Sequence, residues 1–335
     1  MSLSLNSNSK NMVSCKNCIH FCIGEDEEIV CFNEDTGLEE TRDGICNLCW
    51  DSVYCNEVCQ DFEQNTFNAD CLEVMDELIE LGIEVDAIIV DPPYAKTRGK
   101  WDVIIPLDEM WKRLDKLIKP NGAICIFGNE PYSSMVRASN FTDYKYDWKW
   151  VKNRATGFAN CNYRPMARYE DIMVFSKANA SSGGKKNPMV YNPQGLISSG
   201  KVKKNSPKRH GLIQDDTNNV GKNNALMQET EYVQKFTNYP DNILEFDCEH
   251  KYVHPTQKPT SLLEYLLSTY SNENELILDF TAGSFSVAVA CLNKRRRYIC
   301  IEKDKKYFNI GTERVEESIK NMISLNKNNT LFDLL

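Results

Sequence analysis

The sequence predicts an α/β fold organised around a doubly wound parallel sheet. Three short, continuous apolar runs indicate strands that are covered on both faces: DAIIV at 86–90, AICIF at 123–127 and ELILDF at 275–280. Between these runs, apolar residues recur every three to four positions, which is typical of amphipathic helices. Alternation of such strands and helices predicts parallel strands with helices on both sides of the sheet.

The first half of this pattern occupies residues 62–176. KPNG ends the second helical stretch ahead of the strand at 123–127, and YKYDWKWV (144–151) and YEDIMVF (169–175) are two further strand candidates. The helices are predicted from two stripes of apolar residues: Leu72, Met75, Leu78 and Ile79, followed by Gly82 as a cap, and then Leu107, Met110, Trp111, Leu114, Leu117 and Ile118.

The second half of the pattern lies within residues 246–325. A helix is predicted at 260–270, ahead of the strand at 275–280. A second helix begins near residue 285, and RYICIE at 297–302 is predicted to be the last strand.

Residues 177–245 interrupt this pattern. They are rich in Lys, Asn, Ser, Gly and Pro and show weak periodicity, which indicates a region inserted into the α/β domain. We therefore expect a cysteine-rich module at 1–61, an α/β domain formed by 62–176 and 246–335, and the inserted region at 177–245.

The composition is that of a globular, water-soluble chain. The 335 residues are 41% hydrophobic and 26% charged, and no apolar run approaches the roughly 18 residues that a membrane helix needs. The opening MSLSLNSNSK is polar and lacks the apolar core of a signal peptide. We therefore expect a cytoplasmic protein without membrane contact, in which cysteines are metal ligands or free thiols rather than disulfides.

Charge is distributed unevenly along the chain. The net charge is -9, yet residues 145–214 hold 14 Lys/Arg against 3 Asp/Glu, and no acid occurs from Ile172 to Gln214. A polyanion such as nucleic acid could bind this stretch without opposing the overall charge.

Asp91-Pro92-Pro93-Tyr94 follows the strand at 86–90 directly. Ligands of doubly wound sheets bind beyond the carboxyl ends of the strands, where this tetrapeptide is predicted to lie. The prolines stiffen the loop and leave its carbonyl groups free, so an acid and a carbonyl can accept both hydrogens of an amino group. An aromatic ring two residues later could stack on the ring that bears the amine. A strand exit stiffened by prolines, with a chance aromatic, is the alternative.

A second ligand-binding segment is predicted at 276–302. LILDFTAGSFSVAVAC combines a strand, an acid, a turn of small residues and a helix start, which suits a carboxylate or phosphate. Glu302, at the end of the next strand, is placed to bind a ribose diol. Because a full G-x-G-x-x-G is absent, a nicotinamide cofactor is weakly indicated.

The order of these motifs resembles the S-adenosylmethionine-dependent amino-methyltransferases of DNA, in the group with a permuted motif order. The chain has Asp91-Pro92-Pro93-Tyr94, then the basic insertion, then HPTQKP (254–259), then the 279–286 stretch. NADCLEVM (68–75) resembles the family segment that contacts the adenine of the cofactor. The resemblance covers about residues 65–320.

The resemblance implies a Rossmann-like methyltransferase sheet with an inserted target-recognition region. It further implies that Asp91 and the Pro92 carbonyl hold the target amine and that Tyr94 stacks on a base flipped out of double-stranded DNA. Asp at the first motif position goes with adenine N6 in this family and Ser with cytosine N4, so adenine is expected. Cytosine-N4 or RNA methylation stays open, as does a nucleic-acid-binding protein that has lost turnover. A homodimer and a cognate restriction enzyme also stay open.

Cofactor contacts are implied residue by residue. Asp70 would contact the adenine, Glu302 the ribose, and Asp279 and Gly283 the methionine end, while Thr256 and Lys258 would lie near the methionine carboxylate. A solvated lysine ahead of a helix is the alternative for Lys258. The full expected set is Asp70, Cys71, His254, Thr256, Lys258, Asp279, Phe280, Ala282, Gly283, Ser284 and Glu302.

Two departures from the family pattern bear on cofactor affinity. Phe280-Thr281 replaces the usual Pro-Phe, and Phe285 stands where a second glycine is common. Close backbone approach to the cofactor is then expected mainly at Ala282 and Gly283.

DNA contacts are expected in the inserted region. Lysine and arginine side chains there suit phosphate contact, which positions a protein on DNA without specifying a sequence, and a solvated mobile loop is the alternative. The candidates are Lys185, Lys186, Lys201, Lys203, Lys204, Lys208 and Arg209.

The acidic first 61 residues carry two Cys-x-x-Cys pairs, which could supply four thiolates to one tetrahedral zinc ion. A segment with so few aliphatic residues needs such a staple, although a reduced disordered arm or an iron–sulfur cluster stays open. We expect this module to contact protein or support a dimer. The candidate ligands are Cys15, Cys18, Cys22, Cys31, Cys46, Cys49, Cys55 and Cys59, whereas Cys125, Cys161, Cys248 and Cys300 are expected to be core residues.

Overall fold

The computed structural model describes the backbone of residues 12–13, 22–23, 29–33, 38–42, 66–95, 102–181, 187–204, 231–248 and 257–332. Side chains are described within these ranges from residue 66 to 322, except at 204, 231 and 232. Near the N-terminus, β1 (Met12–Val13) pairs antiparallel with β2 (Cys22–Ile23), and β3 (Ile29–Asn33) pairs antiparallel with β4 (Leu38–Arg42).

Strands and helices alternate through most of the remaining chain. The elements are β5 (Thr66–Phe67), α1 (Cys71–Glu80), β6 (Val85–Val90), α2 (Leu107–Leu117), β7 (Ile118–Gly128), α3 (Tyr132–Ser139), β8 (Tyr144–Thr156), β9 (Ala167–Phe175), β10 (Ile197–Lys204), β11 (Glu231–Thr237), β12 (Ile243–Glu245), α4 (Thr260–Tyr270), β13 (Leu276–Asp279), α5 (Ser286–Asn293), β14 (Arg297–Ile301) and α6 (Lys305–Phe332). Every helix and strand predicted from periodicity between residues 72 and 302 is present within a few residues of its expected bounds.

Eight of the described strands form one sheet, in the order β12-β8-β9-β7-β6-β13-β14-β5. The strands from β7 to β5 in this order run parallel, as predicted. The prediction of a parallel sheet is wrong for β9, which is antiparallel to both of its neighbours, β7 and β8, whereas β8 and β12 run in the same direction as β7. The short connection between β8 and β9 explains this difference, since parallel neighbours need a crossover of a dozen or more residues.

Helices cover both faces of the sheet, so the doubly wound prediction is confirmed. Alternate residues of β6 divide between the faces: Ala87 and Ile89 pack into one apolar cluster, and Ile88 and Val90 pack into the other. The first cluster is closed by α4, α5 and α6, and the second by α1, α2 and α3. Burial on both faces is the reason that these strands are continuous apolar runs.

Residues 193–241 form a separate compact unit. Within it, β10 and β11 pair antiparallel with an irregularity between Ser198 and Lys201. This unit is shorter than the inserted region expected at 177–245. Ala178 and Met189 are buried in the first apolar cluster, and β12 pairs with β8, so both flanks of the expected insertion belong to the main unit.

The carboxyl ends of the central strands lie side by side. β13 pairs in parallel with β6 through Leu278 and Ile88, so the segments that follow Val90 and Asp279 leave the sheet at the same edge. Within the described ranges, no helix combines the length and apolar character that crossing a bilayer requires.

Candidate active site

A cavity of about 610 Å³ opens at this edge of the sheet. Its volume is within the range typical of small-molecule sites. The cavity is lined by every predicted catalytic and cofactor residue that lies in the described ranges: Asp70, Cys71, Asp91, Pro92, Pro93, Tyr94, Lys258, Asp279, Phe280, Ala282, Gly283, Ser284 and Glu302. His254 and Thr256 lie outside the described residues.

Lys258 lies against Asp91. Its Nζ is 2.5 Å from Asp91 Oδ2, and its side chain is 7% exposed, so the alternative of a solvated lysine is wrong. The expectation placed this ammonium group near the methionine carboxylate of the cofactor, whereas its contact in the structure is a protein carboxylate. A desolvated ammonium ion needs a close anion, and Asp91 supplies it here.

Glu170, on β9, is a second anion beside Lys258. Glu170 Oε2 is 3.4 Å from Lys258 Nζ, and Glu170 Oε1 accepts a hydrogen bond from the Nζ of Lys152 on β8. Asp91, Lys258, Glu170 and Lys152 thus form a chain of alternating charges, which we call the charge cluster. With equal numbers of acids and bases, each buried ion has an opposite charge next to it.

The pKa shifts within the charge cluster follow from these contacts. Burial opposes ionisation of Lys258, but Asp91 and Glu170 outweigh it and raise the pKa of the ammonium group. Burial alone would raise the pKa of Glu170, yet Lys258 and Lys152 lower it to about 2. The pKa of Asp91 is raised by burial, Lys258 opposes that rise, and the negative charge of Glu170 adds to it.

Tyr94 is a further contact of the Asp91 carboxylate. Its hydroxyl donates a hydrogen bond to Asp91 Oδ1 at 3.2 Å, and its ring lies 5.4 Å from the ring of Tyr132, tilted by 32°. Burial and the Asp91 charge raise the pKa of the Tyr94 hydroxyl well above its usual value, so it remains a donor. Pro92 and Pro93 thus form a short, rigid link between the acceptor and the donor of this hydrogen bond.

The departure at Thr281 links the two halves of the site. Thr281 Oγ1 donates a hydrogen bond to the Asp91 carbonyl oxygen at 3.2 Å, which joins the turn after β13 to the loop after β6. The backbone N–H of Thr281 is bonded to Asp279 Oδ1 at 3.2 Å. Asp279 is buried, and burial raises the pKa of its carboxyl well above the usual value.

The departure at Phe285 is accommodated by a glycine on another helix. Phe285 precedes α5 with φ +59°, a conformation that is rare for side chains larger than Asn, and its ring is fully buried. The ring packs against Phe308 and fills the space beside Gly311 on α6. A Cβ at Gly311 would lie 2.5 Å from Phe285 Cγ, so the two residues complement each other.

Glu302, which follows the neighbouring strand β14, holds the turn that contains Gly283. Its Oε2 accepts the backbone N–H of Gly283 at 2.8 Å, and its Oε1 accepts that of Asp304 at 2.7 Å. Gly283 has φ +53°, where a residue with a side chain is strained. Burial raises the pKa of Glu302, and these N–H groups counteract that rise. A carboxylate has about four acceptor positions, so Glu302 can accept further hydrogen bonds.

Asp70 lines the cavity beside Lys303, the residue that follows Glu302. It caps α1 by accepting the backbone N–H of Leu72 at 2.9 Å, and its Oδ2 is 2.9 Å from Lys303 Nζ. Burial and the charge of Asp70 raise the pKa of the adjacent Cys71 thiol to about 12. Cys71 therefore lines the cavity as a neutral, apolar group.

Several predicted DNA-contacting residues belong to the separate unit or fall outside the described residues. Lys201 and Lys203 are exposed on β10, in the separate unit. Lys204 is also on β10, but its side chain is not among those described, and Lys185, Lys186, Lys208 and Arg209 fall outside the described ranges.

The eight N-terminal cysteines cannot be compared with their predicted role. Cys22 and Cys31 lie in β2 and β3, whose side chains are not described, and the other six are outside the described residues. Among the His, Cys, Asp and Glu side chains that are described, no group of three or more could hold a metal ion. The prediction of core cysteines holds for Cys125 and Cys300 and is wrong for Cys161, which is exposed in the β8–β9 connection.

Sequence reasoning missed Glu170 and Lys152. Glu170 precedes a run of buried residues in β9, and an acid at the start of a buried strand is a signal that could have been followed. Lys152 is separated from it by 17 residues, so only the hairpin pairing brings the two together.

Comparison with known proteins gives consistent results. A family model described as DNA methylase, of the N6/N4 methyltransferase type, matches residues 85–313. Type II methyltransferase M.HpaI of Haemophilus parainfluenzae is 24% identical over 265 residues, which cover 72% of this chain and 72% of that protein. DNA adenine methyltransferase YhdJ of Escherichia coli strain K12 is 36% identical over 63 residues, 19% of this chain and 21% of that protein. The crystal structure of the M1.HpyAVI–SAM complex matches with a TM-score of 0.48 and 25% identity, covering 75% of this chain and 98% of that chain.

Proposed function

The chain belongs to the N6/N4 DNA methylase family, and we propose that it methylates the exocyclic N6 of adenine in double-stranded DNA, with S-adenosylmethionine as methyl donor. The observation that carries this proposal is the meeting of two segments. The Asp91-Pro92-Pro93-Tyr94 loop, suited to an amino group, and the Gly283 turn, suited to a cofactor, line one cavity and are joined by the Thr281–Asp91 hydrogen bond.

The cavity suits a cationic methyl donor. The carboxyl groups that line it come from Asp70, Asp91, Asp102, Asp279, Glu302 and Asp304. The burial of Asp279 and Glu302 makes a nearby positive charge favourable. When bound, S-adenosylmethionine supplies an electrophilic methyl group on a positively charged sulfur. We assign Asp70 to the adenine of the cofactor, Glu302 to its ribose, and Asp279 with the Gly283 turn to its methionine end.

The target amine would be held by the Asp91 loop. An aromatic amine is a poor nucleophile, because its lone pair is delocalised into the ring. Hydrogen bonds from the two amino hydrogens to Asp91 and the Pro92 carbonyl oxygen favour a tetrahedral nitrogen with a localised lone pair. The rate gain then comes from positioning and electrostatics. Tyr94, tied to Asp91 by its hydroxyl, would present its ring to the flipped base.

Lys258 would keep Asp91 ionised, as the proposed binding of the amine requires. An ammonium group 2.5 Å from Oδ2 favours the ionised carboxylate, which accepts hydrogen bonds and does not donate them. The raised pKa of Lys258 keeps the lysine itself protonated. The methylated nitrogen is acidic while it carries positive charge, and Asp91 is the adjacent acceptor for its proton.

Two observations favour adenine as the target. Aspartate occupies the first position of the catalytic tetrapeptide, which goes with adenine in the family that the chain resembles. A protein named as a DNA adenine methyltransferase is 36% identical over 63 residues. Cytosine-N4 methylation is the second candidate within the same family.

The inserted region is our candidate for sequence recognition. Lys201 and Lys203 are exposed there, as phosphate contact requires. We extend this role to Lys185, Lys186, Lys204, Lys208 and Arg209 on the sequence alone, because no acid lies between Ile172 and Gln214.

We further propose that the first 61 residues bind zinc and serve protein contact or dimerisation. The support is the spacing of Cys15-x-x-Cys18 and Cys46-x-x-Cys49, which suits one Cys₄ site, with Cys22, Cys31, Cys55 and Cys59 available for a second.

Methylation-aware sequencing of DNA from cells that express the protein tests the function. Adenine-N6 methylation at a defined sequence is the expected result, and cytosine-N4 methylation would select the second candidate. Binding of duplex DNA without transfer of labelled methyl groups from S-adenosylmethionine would contradict the proposal and leave a nucleic-acid-binding protein on the same fold.

A further inference from the structure

One face of helix α6 holds the turn between β13 and α5. The ring of Phe285, in this turn, fills the space beside Gly311 on α6. Arg314 lies three positions after Gly311, on the same face of the helix. It donates hydrogen bonds to the two residues that flank Phe285, which are Ser284 and Ser286. The helix therefore contacts three consecutive residues of the turn.

Arg314 is half-buried and reaches the turn through one nitrogen atom. Its Nη1 donates to the carbonyl oxygen of Ser284, and it lies 3.0 Å from Ser284 Oγ and 3.1 Å from Ser286 Oγ. A guanidinium group has hydrogens to donate and no acceptor, so both serine oxygens are acceptors in these contacts. Each hydroxyl group therefore keeps its own hydrogen for donation to another group.

These two hydroxyl groups belong to the wall of the cavity. Ser284 and Ser286 both line it, and they are 3% and 7% exposed. Arg314 is not part of the described lining, so it holds the two serines from the side that faces away from the cavity. Contact between the arginine and a ligand of this cavity would therefore be indirect, through the serine hydroxyl groups.

The methionine end of S-adenosylmethionine carries an ammonium group and a carboxylate. The acids of the cavity suit the ammonium group, whereas the carboxylate needs hydrogen-bond donors. Lys258, which the family resemblance implies for this carboxylate, contacts Asp91 instead. The hydroxyl hydrogens of Ser284 and Ser286 are suitable donors, and the positive charge of Arg314 behind them favours an anion.

We propose that Arg314 is a positioning residue for the cofactor, because it fixes two serine hydroxyl groups as donors to the methionine carboxylate. This inference rests on the proposed function, since S-adenosylmethionine is the ligand that it concerns. Phe285 has φ +59° where the family commonly has a second glycine, so its backbone is strained. A strained turn needs contacts from outside to keep its shape, and Gly311 and Arg314 provide them from α6.

Two ligands of the full-length protein separate this role from general support of the turn. S-adenosylhomocysteine carries the carboxylate, and its decarboxylated analogue lacks only that group. Calorimetry gives both dissociation constants for the wild type and for Arg314→Met, which keeps a long unbranched side chain and removes the donors and the charge. Lys320→Met is the matched control, since Lys320 is a 71% exposed cation on the same helix.

Arg314→Met should weaken binding of S-adenosylhomocysteine about tenfold and leave the decarboxylated analogue within about twofold of the wild type. Arg314→Lys keeps the charge and can still donate, so it should lose less affinity. In the methylation reaction, KM for S-adenosylmethionine should rise while kcat changes little, because the carboxylate is bound equally in the ground state and the transition state. Lys320→Met should match the wild type with both ligands.

A double variant, Ser284→Ala with Ser286→Ala, tests the inference with the guanidinium group in place. It should show the same selective loss of S-adenosylhomocysteine binding. Addition of Arg314→Met to this variant should weaken binding little further, because the arginine acts through the two hydroxyl groups. The serine variant decides the question on its own if Arg314→Met does not fold.

Equal weakening of both ligands in the arginine and serine variants would overturn the inference in favour of a purely structural contact. Dissociation constants within about twofold of the control for both ligands would also overturn it. Failure of the proposed function has a different signature. In that case the wild type binds S-adenosylhomocysteine and transfers no methyl group to DNA, while the variants still lose affinity for the carboxylate-bearing ligand alone and the inference stands.

Discussion

Lys258 Nζ lies 2.5 Å from Asp91 Oδ2, although the two residues are 167 positions apart in the chain. The contact joins the HPTQKP segment to the Asp91-Pro92-Pro93-Tyr94 loop and places the lysine beside the acid that is proposed to hold the target amine. The site is therefore best tested through the charge on Asp91 and through the groups that control it.

Asp91→Asn should lower kcat by about 100-fold or more, because the amide loses the charge that stabilises the developing positive charge on the amine. The Kd for S-adenosylhomocysteine, measured by calorimetry, should stay within a few-fold, since the proposed role of Asp91 is toward the amine. Asparagine is preferable to alanine, because its amide oxygen keeps a hydrogen-bond acceptor for the buried Lys258 ammonium group and its side chain leaves no cavity. Loss of S-adenosylhomocysteine binding in a folded Asp91→Asn protein would show that the loop has been misassigned.

Variants of the charge cluster should move the pH profile of kcat/KM in opposite directions. The ionised form of Asp91 is the active one, so the rate falls as pH decreases through its pKa. Glu170→Gln removes a negative charge that raises this pKa, so the acid limb should move to lower pH. Lys258→Met removes a positive charge that lowers it, so the acid limb should move to higher pH.

The direction in which the acid limb moves distinguishes this electrostatic role from a purely structural one. A structural role for Glu170 or Lys258 would reduce the rate at all pH values and leave the acid limb in place. Glu170→Asp, which keeps the charge, should retain the wild-type profile. Shifts of the same sign in Glu170→Gln and Lys258→Met would rule out control of Asp91 by both residues.

Glu302→Ala should weaken S-adenosylmethionine binding by about 1.5–3 kcal/mol, the usual loss for a hydrogen bond to a charged group. The structure adds a second reason, because Glu302 also holds the N–H of Gly283 in the cofactor turn. Glu302→Gln keeps one carbonyl acceptor and should lose less. An unchanged dissociation constant in the alanine variant would remove Glu302 from the cofactor site.

Gly311→Ala should destabilise the protein by about 1–3 kcal/mol, because the new methyl group would press on the buried ring of Phe285. The sign is informative, since Ala in place of Gly inside a helix ordinarily stabilises by about 1 kcal/mol. In a Phe285→Ala background the ring is absent, and Gly311→Ala should then stabilise. Denaturant unfolding of the four proteins measures this coupling, and the same sign in both backgrounds would contradict it.

The purified protein should carry one or two zinc ions per chain by elemental analysis, bound by the N-terminal cysteines. Thiolate zinc sites supply folding free energy on the order of 10 kcal/mol, so chelation should unfold residues 1–61 and leave cofactor binding by the α/β domain intact. A variant without these residues should contain no zinc. A metal-free protein whose eight N-terminal cysteines all react rapidly with a thiol reagent would contradict the zinc proposal.

Much of the fold could be predicted because burial on two faces leaves a clear trace in the sequence. The runs at 86–90 and 275–280 are apolar at each position that becomes β6 and β13, apart from the acids at their ends. Strand direction leaves no such trace. β8 and β9 have the same kind of composition whichever way they run, so their antiparallel arrangement became visible only through the register with β7.

Part of the candidate site could be predicted from the sequence and part could not. Asp91, Gly283 and Glu302 belong to local motifs, and their meeting in one cavity follows from the neighbouring carboxyl ends of parallel strands. The charge cluster could not be predicted, because its contacts join β8, β9 and the segment before α4. The packing of the Phe285 ring beside Gly311 could not be predicted for the same reason. Neither residue indicates in the sequence that the other is its partner.

The distance along the chain between Asp91 and Lys258 also has a consequence for synthesis. A nascent chain displays the catalytic tetrapeptide early, but the lysine that neutralises Asp91 and the glutamate that holds the Gly283 turn are among the last parts of the α/β domain to leave the ribosome. Chains fold as they emerge, N-terminal parts first. A prematurely terminated product could therefore carry the Asp91-Pro92-Pro93-Tyr94 loop without the residues that complete the cavity, and its Asp91 carboxylate would lack the cation that faces it in the full-length protein.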